Sequence, residues 1–410
     1  VGESKFAAAV REARAAGRPL IDLTVSNPTV CGFRYDAEEL LSPLIDPAAL
    51  AYDPDPRGLR SAREAVAEYY RGHEAAVSAD DLVLTTSTSE GYGFLFRLLC
   101  DAGDEVLVAQ PSYPLFDFLA DLEDVKLRPY PLFYDYGWHI DFAALEASIG
   151  PCTRALVVVH PNNPTGHATK AAERARLEEL CARHKLALMV DEVFLDYPLE
   201  AEAGLESFAR GPYPVLTFVL SGMSKIAGLP QMKAAWIAAL GPEGARRQAL
   251  DRLEVIADTF LSMNAPVQLA LPAWLAGRRA IQAQILQRVR RNLAVARASG
   301  VEVLQAEAGW CAILRLPQTG PDAAGELLRR ADVVVHPGSF YGIAEAGWCA
   351  ILRLPQTGPD AAGELLRRAD VVVHPGSFYG IAEAGRVVVS LLGPEGEFRE
   401  GMGRIAAGLA

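Results

Sequence analysis

Between residue 57 and about residue 240 the chain alternates short, continuous apolar runs with helical patterns, and nothing else in the sequence restricts the fold as much. The runs are DLVLTT (81–86), EVLVAQ (105–110), RALVVVH (154–160), ALMVDEV (187–193), VLTFVLS (215–221) and AAWIAAL (234–240). A strand covered on one face alternates apolar and polar residues, whereas an unbroken apolar run needs cover on both faces. Residues 57–73 and 170–185 place apolar side chains at helical spacing before and between these runs. The expected fold class is therefore α/β, with a mostly parallel sheet covered by helices on both faces. Helical patterns at about 242–260 and 280–299 lead into a smaller α+β part, 300–410, on which the N-terminal segment 1–45 is expected to pack. The expected domains are 46–275, and 1–45 together with 276–410.

A second feature lies in the C-terminal part. Residues 306–347 recur letter for letter as 344–385, an exact tandem duplication with an offset of 38. Stacking repeats diverge in detail and come in about three or more copies, so two perfect copies point to a recent in-frame duplication or an assembly error. The segment PGSFYG lies closest to Arg386 in its second copy, Pro375 to Gly380, so the second copy is expected to dock and the first to loop out.

Composition excludes several classes of function. The net charge is −12 without a clustered Lys/Arg stripe, which disfavours nucleic acid and anionic membrane as partners. The six cysteines are scattered without metal-site spacing, so no metal is expected and the thiols suit a reducing, cytoplasmic compartment. No apolar run reaches the roughly 18 residues of a membrane span, and no signal-peptide pattern is visible.

In sheets of this class ligands gather at the carboxyl ends of the strands. After 81–86 come Ser87 and Thr88, opening a helix whose free amides form an anion site, or an ordinary N-cap. After 105–110 comes Tyr113, in PSYP. After 154–160 comes PNNPTG (161–166), a turn from which Asn163 can donate. Asp191 ends the fourth run, where a buried carboxylate needs a partner. After the fifth run comes SGMSK, with Ser221, Ser224 and Lys225. An anion site, an aromatic face, an amide donor, a carboxylate and an amine together match pyridoxal 5'-phosphate.

This ordered set resembles the class I/II aminotransferases of the aspartate aminotransferase fold (fold type I of the pyridoxal phosphate enzymes), over nearly the whole chain. The resemblance makes 46–275 the large cofactor domain and Lys225 the catalytic lysine that holds pyridoxal phosphate as a Schiff base. It gives Asp191 the cofactor's ring nitrogen, Asn163 its phenolic oxygen and Tyr113 its ring face. Ser87, Thr88, Ser221, Ser224 and Lys233 fall to the phosphate. Tyr52, in YDPDPRG, resembles a tyrosine that reaches the neighbouring subunit's phosphate, implying a homodimer. Arg386, in GRVVVSLL, resembles the residue that grips the substrate carboxylate, with Asn163 and Ser26 as further substrate contacts.

The implied function is amino transfer from an amino acid, with a neutral or apolar side chain favoured, to a 2-keto acid. A carbon–sulfur β-lyase on the same scaffold and a non-enzymatic sensor domain remain as alternatives. Three positions depart from the family pattern. Lys233 stands for a usual Arg, Phe194 for a usual Tyr that donates to the phenolic oxygen, and Ser87–Thr88 for Gly–Ala. Tyr197 is a candidate to replace the donor absent at Phe194.

Overall fold

The computed structural model describes residues 10–12, 14–17, 19–113, 115–200, 204–315, 327, 333–337, 371–372 and 386–409. The strands, in chain order, begin with β1 (Ile21–Asp22), β2 (Leu82–Thr85), β3 (Glu105–Gln110), β4 (Lys126–Tyr134) and β5 (Trp138–Ile140). They continue with β6 (Thr153–Val159), β7 (Ala187–Asp191), β8 (Thr217–Gly222) and β9 (Ala235–Leu240). Strands β2 to β9 form one eight-stranded sheet in the order β2-β9-β8-β7-β6-β3-β4-β5. Its five central strands, β8 to β4 in that order, run parallel, while β9 is antiparallel to both its neighbours and β5 to β4.

All six runs identified in the sequence are strands of this sheet. Strands β7, β8 and β9 are buried at every residue, as double coverage requires, and each large apolar side chain so buried is worth roughly 1.5–3 kcal/mol. Two apolar cores lie on the two faces. One holds Leu188, Val190, Val219 and Trp236; the other holds Met189, Phe218, Leu220 and Ile237. Alternate residues of a strand thus feed opposite cores, the period-2 consequence of the pleat.

The helices that matter for the site are α1 (Arg60–Arg71), α2 (Thr88–Leu99), α3 (Ala171–His184), α4 (Glu243–Phe260) and α5 (Ala265–Ala298). Helix α5 is one 34-residue helix, longer than the helical pattern at 280–299 implied. Pro272 lies inside it, where a proline removes a hydrogen-bond donor. Asn264 caps its start by accepting from Val267 N at 3.0 Å. This helix runs through residue 275, so the expected division of the chain falls inside a continuous element.

A second, four-stranded antiparallel sheet is built from β10 (Glu302–Val303), β11 (Cys311–Arg315), β13 (His336–Pro337) and β15 (Arg386–Ser390), in the order β10-β11-β15-β13. Strand β1 pairs in parallel with both β12 (Val333–Val334) and β14 (Val371–Val372), Ile21 facing Val333 and Val371 alike. Those two valines are the same position of the duplicated segment. The N-terminal segment is joined to this part, Ser390 N donating to Leu23 O at 2.7 Å and Ser390 Oγ to Val25 O at 2.7 Å.

The docking expectation is corrected here. The first copy, not the second, supplies β11 and β13. Its leading residues are stitched down. Leu199 N donates to Glu307 O at 2.9 Å, Gly309 N to Tyr197 O at 2.9 Å, and Leu391 N to Trp310 O at 2.8 Å. The physical reason is the tether. β11 follows β10 after a short connection, and closing a short loop costs less entropy than closing one lengthened by a whole copy. The expectation weighed only the downstream tether to Arg386. Of the second copy, only Val371 and Val372 belong to the described residues, and Pro375 to Gly380 lie outside them.

Candidate active site

The first strand end to consider is that of β2. Ser87 is the N-cap of α2, its Oγ accepting from Glu90 N at 3.1 Å. The ordinary-cap reading of Ser87 is therefore realised, and the amides of the first turn still face outward with the positive end of the helix dipole behind them. Glu90 is also held, accepting from Thr86 N at 2.7 Å and from Ser262 Oγ at 2.6 Å. That ties the loop before α5 to the rim of the anion site. Neither Glu90 nor Ser262 stood out in the sequence, because a lone Glu in a first helical turn is ordinary capping chemistry.

At the end of β6 the PNNPTG turn is held by the first of its two asparagines. Asn162 Oδ1 accepts from Thr165 Oγ1 at 2.8 Å, and its Nδ2 donates to Pro111 O at 3.4 Å. This leaves the Asn163 amide half-buried and without a partner among the described residues. Gly166 closes the turn at φ +69°, and a Cβ there would lie 2.7 Å from Ala308 O. Glycine is required on both counts, backbone conformation and close approach. That approach carries the start of the first repeat copy against the strand ends: Glu307 N and Ala308 N both donate to Gly166 O at 3.1 Å.

Asp191 ends β7 at 8% exposure. Its Oδ1 accepts from Val193 N at 3.1 Å and its Oδ2 from the Tyr92 hydroxyl at 3.2 Å. Burial pushes the carboxyl up to about 6, against the opposing pull of the Val193 N–H, the Tyr92 hydroxyl and the Lys225 amine. Tyr92 escaped the sequence reading because it lies on the buried face of α2, where a tyrosine reads as packing. The adjacent Glu192 turns elsewhere, accepting from Ser207 Oγ at 2.7 Å and Phe208 N at 2.5 Å.

Lys225 lies in a short helix, Met223–Ile226, directly after β8. The chain is held there by Met223 N donating to Ala234 O at 2.9 Å and by the Tyr197 hydroxyl donating to Lys225 O at 2.6 Å. Tyr197 therefore anchors the backbone of the lysine. Its hydroxyl is engaged there, which removes it as the substitute for the donor absent at Phe194. The lysine amine is lowered from its ordinary range chiefly by burial, with the Cys311 thiol and Asp191 opposing. It sits 5.6 Å from the Phe194 ring centroid and 5.1 Å from that of Trp310.

The remaining expected residues are placed as follows. Ser221 is fully buried, its Oγ donating to Glu192 O at 3.4 Å, and Ser224 is half-buried. Thr88 opens α2. Tyr113 is 45% exposed in the loop after β3. Lys233 is exposed, in the left-handed conformation at φ 54°. Tyr52 is 82% exposed and Ser26 is exposed beside the strand pairing of Leu23. Arg386 begins β15 opposite Arg315 in β11; its side chain lies outside the described part. The structure thus gathers Ser87, Thr88, Asn163, Asp191, Ser221, Ser224 and Lys225 at one edge of the sheet, each at or just after the carboxyl end of a strand.

The model for aminotransferase class I and II matches residues 46–405. The chain belongs to that family. Its fold is that of solved aminotransferases: alanine aminotransferase from Pyrococcus furiosus superposes with a TM-score of 0.80 at 21% identity, covering 100% of this chain and 99% of that one. Aspartate aminotransferase from Thermus thermophilus with maleate gives a TM-score of 0.75 at 20% identity, covering 99% and 97%. Among curated proteins, glutamate-pyruvate aminotransferase AlaA of Escherichia coli K12 is 30% identical over 65% of this chain and 65% of its own length. Alanine aminotransferase of Mycobacterium tuberculosis H37Rv is 30% identical over 66% of this chain and 64% of its own length. The chain thus spans about 65% of the length of the curated relatives it matches.

The family is one of pyridoxal phosphate enzymes, and the donor set fits that cofactor. A lysine amine with lowered basicity, a buried carboxylate, a free amide and the open N-terminus of α2 meet the demands of an aldehyde, a pyridine nitrogen, a phenolic oxygen and a phosphate. Among the described residues no group of His, Cys, Asp and Glu could hold a metal ion, and no helix is long and apolar enough to cross a membrane.

Proposed function

We propose that the chain is a pyridoxal phosphate-dependent aminotransferase that moves an amino group from an amino acid to a 2-keto acid. The observation that carries this reading is the convergence of Asp191, the last residue of β7, and Lys225, just beyond the end of the adjacent parallel strand β8. When bound, pyridoxal phosphate supplies an electron sink for the carbon that loses its proton. Asp191 holds a proton on the ring nitrogen through its carboxylate. The lowered basicity of Lys225 leaves a larger share of its Nζ unprotonated near neutrality, free to accept the proton from the substrate Cα and return it. The N-terminus of α2 with Ser87 and Thr88, joined by Ser221, Ser224 and Lys233, binds the phosphate. Asn163 orients the phenolic oxygen and Tyr113 covers the ring face. Arg386 grips the substrate carboxylate, with Asn163 and Ser26 beside it.

The substrate reading is a neutral amino acid and a small 2-keto acid. It is supported by relatives named for alanine and for glutamate with pyruvate. The division into a cofactor domain, 46–275, and a small domain, 1–45 with 276–410, is part of the proposal and is supported by the two separate sheets. So is a homodimer. Ile45, Leu50 and Tyr52 are 84%, 93% and 82% exposed on one short stretch, an apolar surface that a second copy would cover. Cytoplasmic location accords with the free thiols of Cys31, Cys100, Cys152 and Cys181.

The test is a panel of amino acids added to the cofactor-loaded protein, scored by loss of the cofactor's visible absorbance and by keto acid formed. Alanine or glutamate with pyruvate or 2-oxoglutarate should give turnover. Release of pyruvate and ammonia from a cysteine conjugate, without conversion of the cofactor by ordinary amino acids, would support the β-lyase instead.

A further inference from the structure

Trp310 carries a polar atom that the fold leaves unanswered. Its side chain is 2% exposed, and its Nε1 has no hydrogen-bond partner among the described residues. The indoles of Trp236 and Trp274 are buried to the same degree, yet they donate to Tyr70 Oη at 3.0 Å and to Leu40 O at 2.9 Å. A buried N–H stripped of water and given no acceptor is destabilising, so native structures rarely keep one without a functional reason.

The position of Trp310 supplies that reason. Its ring centroid lies 5.1 Å from Lys225 Nζ and 5.4 Å from the Phe194 ring, while Nζ lies 5.6 Å from Phe194. Amine and two rings stand at the corners of a nearly equilateral triangle. Phe194 offers no polar atom. Tyr197, its ring centroid 5.0 Å from that of Trp310, has its hydroxyl committed to Lys225 O. Of the three aromatic side chains around the lysine, Trp310 alone retains a free donor among the described residues.

We propose that Trp310 Nε1–H donates to an anionic oxygen of the ligand bound beside Lys225. This rests on the pyridoxal phosphate reading above. Two oxygens there share the required chemistry, the cofactor's phenolate and the carboxylate of the substrate. The indole is donor-only, so it discriminates against a protonated acceptor and favours the anion at either place. Trp310 belongs to the first repeat copy, whose docking brings the indole to the site; Trp348 is the same residue of the second copy.

The experiment is Trp310→Phe in the cofactor-loaded enzyme, with Trp348→Phe as the control. Borohydride fixation and mass spectrometry first establish that wild type holds the cofactor; failure there sinks the cofactor reading itself. If the phenolate is the acceptor, Trp310→Phe raises the pKa of the cofactor's absorbance transition by about one unit, because the lost donor no longer stabilises the anion. If the carboxylate is the acceptor, that pKa stays put and the dissociation constant for maleate, an unreactive carboxylate, rises about fivefold or more. In either case Trp348→Phe leaves both quantities unchanged. A loaded Trp310→Phe enzyme with neither change, or the same change in Trp348→Phe, overturns the assignment. Should Trp310→Phe fail to fold, the indole ¹⁵N–H resonances of wild type decide: one must move downfield on cofactor or maleate binding, and none moving overturns the proposal.

Discussion

The hydroxyl of Tyr92, on α2, donates to the carboxylate of Asp191, at the end of β7, at 3.2 Å. The helix whose N-terminus is proposed to bind the phosphate therefore also holds the carboxylate proposed for the ring nitrogen, and on that reading one element would set both positions. Asp191 is otherwise an expense to the empty protein, because burial raises its carboxyl to about 6.

From that shift follows a pH-dependent stability. An acid whose folded pKa exceeds its unfolded value favours the fold most below the unfolded pKa, near 3.8, and loses that contribution as pH rises through about 6. Asp191→Asn removes the ionisation. In the absence of cofactor the variant should gain on wild type between about pH 4 and pH 6, reaching up to about 3 kcal/mol and staying level above. Urea titrations across that pH range measure it, and the same variant should lose nearly all turnover. A difference that does not vary with pH would place the Asp191 ionisation elsewhere.

Lys225→Ala should remain folded, bind pyridoxal phosphate reversibly and lack turnover. Borohydride treatment followed by peptide mapping should fix cofactor in wild type at Lys225 and nowhere in the variant. Fixation at another lysine removes Lys225 from its assigned role.

Phe194→Tyr places a hydroxyl on a ring 5.6 Å from the Lys225 amine. It should lower the pKa of the bound cofactor's absorbance transition by stabilising the phenolate, opposite in sign to the effect of Trp310→Phe if the phenolate is the acceptor of the indole N–H. Spectrophotometric titration of the two single variants and the double variant shows whether the two donors compete for one oxygen.

Arg386→Lys exchanges a planar fork for a point charge. KM should rise about tenfold or more for every amino acid tested, with the cofactor's absorbance pKa unmoved. Unchanged KM values would take Arg386 out of the substrate site.

Deleting 306–343 leaves the same polypeptide as deleting any other 38-residue window within the duplication. The single remaining copy can still supply β11 and β13 alongside β15, so the shortened chain should fold, keep activity and be more soluble. The surplus copy carries apolar, strand-prone runs. Soluble yield and specific activity of the two chains measure this. A shortened chain that is insoluble or inactive would mean that both copies are structural.

The sequence by itself determined the sheet and its reactive edge. Six unbroken apolar runs between helical patterns read as strands covered on both faces, and the polar residues at the ends of the five that run in one direction emerge together at the carboxyl edge. The place of Lys225, Asp191 and Asn163 at strand ends was legible for that reason, while the roles proposed for them came from the family resemblance. The tertiary structure decided what depends on which distant segments meet. It gave β11 and β13 to the first repeat copy while both copies pair with β1, because two identical segments differ only in their tethers and not in any local preference. It placed Tyr92 beneath Asp191 and Trp310 beside Lys225, since an aromatic residue on a buried face reads as packing until its polar atom is seen to have, or to lack, a partner. It also carried α5 through Pro272, where contacts along a long helix outweighed a local preference for a break. Periodicity and turn chemistry are local and are written residue by residue, whereas hydrogen-bond partners hundreds of residues apart are properties of the packed chain alone.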